Sequence, residues 1–196
     1  MILKIYFAIK KNLYFTKLNK VFFLRLLFII FSMAENKKPL VEIYTDGACS
    51  GNPGKGGYGA VLRYKTASGE YITKELSEGF EKTTNNRMEI LGAVIALETL
   101  KKPCLVTLCS DSKYLIDAIE KKWLDSWISK GWKTASKKPV KNVDLWKRLI
   151  EAMKPHKIEF IWVKGHNGHE FNERCDELAV TAYNGDNLIQ DEGFED

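Results

Sequence analysis

The hydrophobic period of this chain first passes from strand to helix only after three strand-like segments, and that order constrains the fold more than any other feature. Val41, Ile43 and Thr45 alternate with Glu42, Tyr44 and Asp46, the two-residue period of a strand with unlike faces. A loop with Gly47, Gly51, Gly54, Gly56, Gly57 and Gly59 then leads to a second strand near residues 58–64. Ala67, Ser68 and Gly69 form a turn signal, and residues 71–78 return as a third strand, so the first three strands read as an antiparallel meander. From about residue 86 to 100 the period becomes helical, with Met88, Leu91 and Ile95 on one stripe and Glu89, Gly92, Ala93 and Ala96 on its neighbour. The rest alternates: strand 105–110, helix 113–120, helix or extended loop to 141, helix 143–153, strand 157–163 and helix 170–183. A meander followed by alternating helices and strands specifies an α/β chain, with a mixed sheet covered by helices.

Within that frame, four acids stand out. Asp46 and Asp111 fall where strands end, the edge at which open α/β sheets place their sites, although each also fits a turn or cap aspartate. Glu89 reads equally well as a first-turn glutamate favoured by the helix dipole. Asp176 is harder to dismiss, because it shares a helical stripe with Ala179, Val180 and Tyr183, and a carboxylate on an apolar face must be protonated, paired or bound to metal. If the four converge, their repulsion calls for divalent cations, and a set of hard oxygen ligands favours Mg²⁺ or Mn²⁺ over zinc. Two such ions about 4 Å apart activate water and stabilise the leaving oxygen of a phosphodiester. His166 lies on a glycine-flanked segment ten residues before Asp176, within reach of the same site as a proton carrier.

Composition removes the main competitors. At 196 residues, with 45% hydrophobic and 28% charged residues, the chain is one globular domain and neither disordered nor fibrous. Cys49, Cys104, Cys109 and Cys175 form no CxxC pair, which excludes a zinc ribbon or thioredoxin-like motif and fits reduced thiols in a cytoplasm. Gly54-Lys55 is followed by Gly56, so there is no phosphate-binding P-loop. The net charge of +5 misleads, because residues 1–33 hold six cations and no acid; residues 34–184 hold 24 cations and 20 acids. Residues 1–32 are expected to be an over-extended or targeting segment before a start at Met33, since the apolar run 21–31 is short for a membrane span. The catalytic domain is expected over residues 33–184, with residues 185–196 as a flexible acidic tail.

Five segments, 44–54 (YTDGACSGNPG), 83–89 (TTNNRME), 110–112 (SDS), 133–146 (KTASKKPVKNVDLW) and 162–179 (WVKGH through NERCDELA), closely resemble the bacterial-type ribonuclease H family, type 1. The resemblance runs from about residue 40 to 183. It implies a three-layer α/β fold with a five-stranded mixed sheet, its first three strands antiparallel, flanked by helices. It also implies cleavage of the RNA strand of RNA/DNA hybrids, leaving 3′-hydroxyl and 5′-phosphate ends. By motif, Asp46, Glu89, Asp111 and Asp176 would hold two Mg²⁺ ions, with Mn²⁺ as a substitute, and His166 would move a proton or aid product release.

The same resemblance places Cys49 and Asn52 near ribose edges, Asn85 and Asn86 in the minor groove, and Thr84 and Asn142 on a DNA phosphate away from the cut. Asn142 also suits a helix N-cap. The segment 121–141 holds seven lysines, one acid and three tryptophans, and resembles the family's basic handle. By that resemblance Lys133, Lys137 and Lys138 would meet phosphates and Trp123 and Trp127 would line the DNA channel, with Trp132 structural; the competing reading is that the tryptophans anchor a short helix and the lysines form a solvated face. Departures are Lys82 for a common Arg, Lys113 for Gln or Met, and Asn167 for Ala. The expected partner is an RNA/DNA hybrid, bound by a cytoplasmic monomer with no obligate protein partner and no membrane. A non-catalytic hybrid-binding module is the alternative, and loss of an acid would have favoured it.

Overall fold

The structure is a computed structural model and describes residues 38–165 and 167–195. The expectations for residues 1–32, for a start at Met33 and for His166 lie outside the described residues.

The meander forms as β1 (Leu40–Cys49), β2 (Gly54–Lys65) and β3 (Tyr71–Thr83), paired antiparallel in that order. β1 runs past Asp46 to Cys49, and Gly47, Gly54, Gly56, Gly57 and Gly59 lie in strands rather than in a loop. After α1 (Asn85–Glu98), β4 (Leu105–Ser110) lies parallel to β1, and β5 (Lys157–Trp162) lies parallel to β4. Between them come α2 (Lys113–Glu120), α3 (Trp123–Ser129) and α4 (Val143–Met153), and α5 (Glu170–Asn184) follows β5. The sheet order is β3-β2-β1-β4-β5, which is the expected five-stranded mixed sheet.

The glycines explain how the layers close. A Cβ on Gly47 would strike the backbone of Met88 and Glu89, so α1 lies directly on β1. A Cβ on Gly59 would strike the Cys175 carbonyl, so α5 lies directly on β2. Gly59 pairs with Asp46 and Gly47 with Tyr58, and successive strand residues face opposite ways, so α1 and α5 cover opposite faces of the sheet. Gly is disfavoured in a free strand, but here it admits another backbone.

The core lies between the sheet and α1, α2 and α4, where Ile43, Met88, Val94, Leu108, Leu115, Trp146 and Leu149 are fully buried. α1 is buried on nearly every side, because β1 and β2 flank it on one side and α4 on the other. The two-stripe reading of that helix was therefore too narrow, and Glu89 is its fifth residue, beyond the first turn. No helix among the described residues is long and apolar enough to cross a membrane.

The acidic tail differs from its expectation. Ile189 accepts from the Glu81 amide at 2.9 Å and donates to the Gly79 carbonyl at 3.0 Å, pairing in parallel with Phe80 beyond the sheet. Asp191 is 6% exposed and bonded to Arg87. Composition predicted a solvated segment because the Asp191 partners Thr83 and Arg87 stand 108 and 104 residues away, while Asp186, Glu192 and Glu195 are exposed as expected.

Candidate active site

Asp46 lies within β1, one residue beyond the last parallel pair of β1 and β4, Thr45 with Ser110, and Asp111 is the residue after Ser110. The two aspartates therefore emerge side by side where the parallel ladder stops. Gly59 brings α5 down on the same face, and with it Asp176, the residue after the fully buried Cys175. Gly47 brings Glu89 in on α1 between Met88 and Ile90, both fully buried.

The electrostatics follow from that convergence. Burial first, and then the charge of Asp111, push the Asp46 carboxyl up to about 8; Asp176 and Glu89 add to the rise, against the pull of the Gly47 amide that Asp46 accepts at 2.7 Å. Burial likewise raises Glu89 to about 7, with Ser112 opposing and Asp111 adding. The charges that raise both residues are carboxylates.

Neighbouring side chains orient the acids. Glu89 accepts from Asn85 Nδ2 at 2.8 Å through Oε1 and from the Ser112 hydroxyl through Oε2. Ser112 is also the N-cap of α2, accepting from the Leu115 amide at 3.1 Å, so one residue starts that helix and holds Glu89. Asn172 is 3% exposed and donates to Asp111 Oδ2 at 3.4 Å, while its own Oδ1 has no partner among the described residues. The Trp162 indole donates to the Asp111 carbonyl at 3.0 Å. Sequence reading passed over Ser112, Asn172 and Trp162 as site residues. Asn172 was findable, since it lies one turn before Asp176 on the same stripe; Ser112 and Trp162 carried no such signal.

Among the described residues no group of three or more His, Cys, Asp or Glu is drawn close enough to hold an ion as it stands. Chemically, though, the donor set fits hard divalent cations: all four donors are carboxylates, and the two with raised pKa are desolvated and repelled by their neighbours.

The remaining candidates fall in two places. Asn52 Oδ1 accepts from the Asn85 amide at 3.3 Å, which puts the β1–β2 turn beside Thr84, Asn85 and Asn86 at the start of α1, with half-buried Cys49 at the end of β1. Thr84 is the N-cap of α1 but makes no side-chain cap bond. Asn142 occupies the N-cap of α4 at φ 58° without a side-chain cap bond, so its capping role is conformational only. In the basic segment Lys133, Lys137 and Lys138 are exposed on a turn closed by Thr134 and Lys138. Trp123 is 37% exposed, whereas Trp127 stacks 5.6 Å from the buried Trp146 and 6.3 Å from Trp123. Trp127 therefore anchors α3 to the core.

The family model for RNase H matches residues 37–184. The Ribonuclease H of Lachnoclostridium phytofermentans is 57% identical over 152 residues, 77% of this chain and 96% of that relative. That of Novosphingobium aromaticivorans is 59% identical over 142 residues, 72% of this chain and 95% of that relative. Among solved structures, LC9-RNase H1, a type 1 RNase H with the type 2 active-site motif, superposes with a TM-score of 0.70 at 33% identity, covering 81% of this chain and 78% of that one.

Proposed function

The chain belongs to the RNase H family and is an endoribonuclease acting on the RNA strand of RNA/DNA hybrids, and on that premise we propose that it works with two divalent metal ions held by Asp46, Glu89, Asp111 and Asp176. Mg²⁺ is the proposed ion, with Mn²⁺ able to replace it. When bound, the ions supply an activated water and charge stabilisation at the leaving oxygen. Hydrolysis then adds water across the P–O3′ bond, leaving a 3′-hydroxyl and a 5′-phosphate.

The observation that carries this reading is the shared field at Asp46, a buried carboxylate held near pKa 8 by burial and three further acids. Such an arrangement is costly unless cations join it. Around it, Ser112 and Asn85 keep Glu89 aimed, and Asn172 and Trp162 hold Asp111. His166 is assigned to proton transfer or product release. Cys49, Asn52, Asn85 and Asn86 are assigned to the hybrid beside the cut, Thr84 and Asn142 to a DNA phosphate, and the handle with Lys133, Lys137, Lys138, Trp123 and Trp127 to the DNA strand. The enzyme acts as a cytoplasmic monomer, without obligate partner or membrane, removing hybrids formed in DNA replication and repair.

A cleavage assay with Mg²⁺ on hybrid, duplex RNA and duplex DNA tests the reading. Cutting of hybrid RNA alone, lost with chelator and restored by Mg²⁺, is the expected result. Chelator-resistant cutting would overturn the metal assignment.

A further inference from the structure

One charged cluster, centred on the buried Arg87 and Asp191 with Asp144 at its exposed edge, takes no part in the chemistry above. Arg87, 3% exposed, donates through Nε to Asp191 Oδ2 at 2.6 Å and through Nη2 to Asp191 Oδ1 at 2.8 Å. The same guanidinium reaches Asp144 through Nη1 at 3.0 Å and Nη2 at 2.7 Å. Thr83, fully buried, donates its hydroxyl to Asp191 Oδ2 at 2.6 Å. The tail closes over the cluster so tightly that a Cβ on Gly193 would strike both Asp144 and Arg87. Burial works against the Arg87 charge, but the bonds to Asp191 and Asp144 outweigh it and raise the pKa further.

Stability alone is a weak reason for such a cluster, because apolar side chains of similar volume commonly serve as well as a buried ion pair. What the planar Arg fork supplies is fixed geometry. Its partners tie three stretches of chain that are far apart in sequence: the entry to α1 at 83–87, the entry to α4 at 142–144, and the tail at 189–193. Thr84 stands beside Thr83 in the first stretch, and Asn142 stands two residues before Asp144 in the second. Neither residue makes a side-chain cap bond in its own helix; the Asn142 side chain bonds Tyr114 of α2 instead, so its place depends on tertiary packing.

We propose that Asp191 is a positioning residue: from the tail it holds the Arg87 fork against Asp144, and so sets the separation of Thr84 and Asn142 that receives a DNA phosphate. This rests on the proposed phosphate role of those two residues.

The test uses the full chain, Asp191→Asn, and hybrids whose DNA strand carries one neutral methylphosphonate, moved position by position. With the wild-type protein, one position should weaken binding clearly more than its neighbours. With Asp191→Asn, KM for unmodified hybrid should rise about 5- to 10-fold with kcat at saturation within about 2-fold, the pattern of lost uniform binding. The penalty at the sensitive position should shrink to that of its neighbours, and Asp191→Glu, which keeps the charge, should restore part of it. If Asp191→Asn does not fold, Thr83→Val removes a single hydrogen bond to Asp191 and should move KM and the penalty in the same direction by about 2-fold. A folded variant with unchanged KM, or with its methylphosphonate penalty intact, overturns the positioning role. A wild-type protein that cuts hybrid but shows no sensitive position overturns the phosphate reading itself.

Discussion

The acid cluster and the basic handle are built on opposite principles. Each acid is next in sequence to a fully buried residue: Asp46 to Thr45, Glu89 to Met88 and Ile90, Asp111 to Ser110, and Asp176 to Cys175. Their positions are thus set by the same packing that holds β1, α1, β4 and α5 together. The handle around α3 has its lysines exposed and is anchored by few apolar side chains, among them Leu124 and Val140, with Trp127 leaning on Trp146. Of the four non-glycine residues with positive φ among the described residues, Lys122, Trp132 and Lys137 fall in this stretch and Asn142 directly follows it. Groups that act on a reacting bond need placement within a fraction of an ångström, whereas charges that meet a phosphate backbone tolerate adjustment. On the proposed assignments, the chemistry is mounted on the core and the affinity on exposed turns.

Changing the cluster should therefore abolish turnover and spare binding. Asp46→Asn keeps the shape and loses the charge, so turnover with Mg²⁺ should fall by more than about 100-fold, the upper end for residues that only support a metal ligand. Hybrid affinity, measured by filter binding with Ca²⁺, should hold or rise. Near-native turnover would dissolve the distinction between the two regions.

The reverse pattern is expected of the handle. Replacing Lys133, Lys137 and Lys138 together by Ala should raise KM by about 10-fold at moderate salt with kcat at saturation little changed. The slope of log affinity against log salt should become shallower as well. If kcat falls and KM does not, the handle belongs with the chemistry.

A smaller effect separates the regions by pH. Asp46 and Glu89 have folded-state pKa values of about 8 and about 7, raised above the ordinary carboxylate range, so the fold favours their neutral forms. Their contribution to stability is fully present below about pH 4 and is lost as pH rises through 7 to 8. A bound cation selects the ionised forms and reverses the trend. The gain in Tm on adding Mg²⁺ should be larger at pH 8 than at pH 5 by a few degrees, and the triple lysine variant should show the same difference. Equal gains at both pH values would mean that the metal ions bind elsewhere.

Much of this arrangement was legible in the chain. The bounds of β4, α2 and α4 match the sequence reading, because each pairs a clear period with a clear stop: Pro103 before β4, Ser112 before α2 and Asn142 before α4. On the stripe through Ala179, Asp176 is half-buried and Ala179 buried, and one further turn back reaches the buried Asn172. The glycine run was misread as loop, because glycine is depleted in strands on average and only the helices above it explain its presence. Glu89 was assigned to the first turn for want of the true helix start at Asn85.

The order of the elements, the type of most of them, the four candidate acids and the family resemblance could be read from the chain, since periods, stops and motifs are local properties, while 121–141 stayed open between helix and loop. Tertiary structure alone decided three things. It decided that the glycines of β1 and β2 are contact points for α1 and α5, that Ser112 and Asn172 orient the acids, and that the acidic tail returns to Arg87. Each depends on a partner at least 10 residues away in sequence, and a local pattern contains no record of which distant backbone or charge will arrive. The tail is the clearest case: five acids in twelve residues read as solvated until the one cation that buries Asp191 is found on α1.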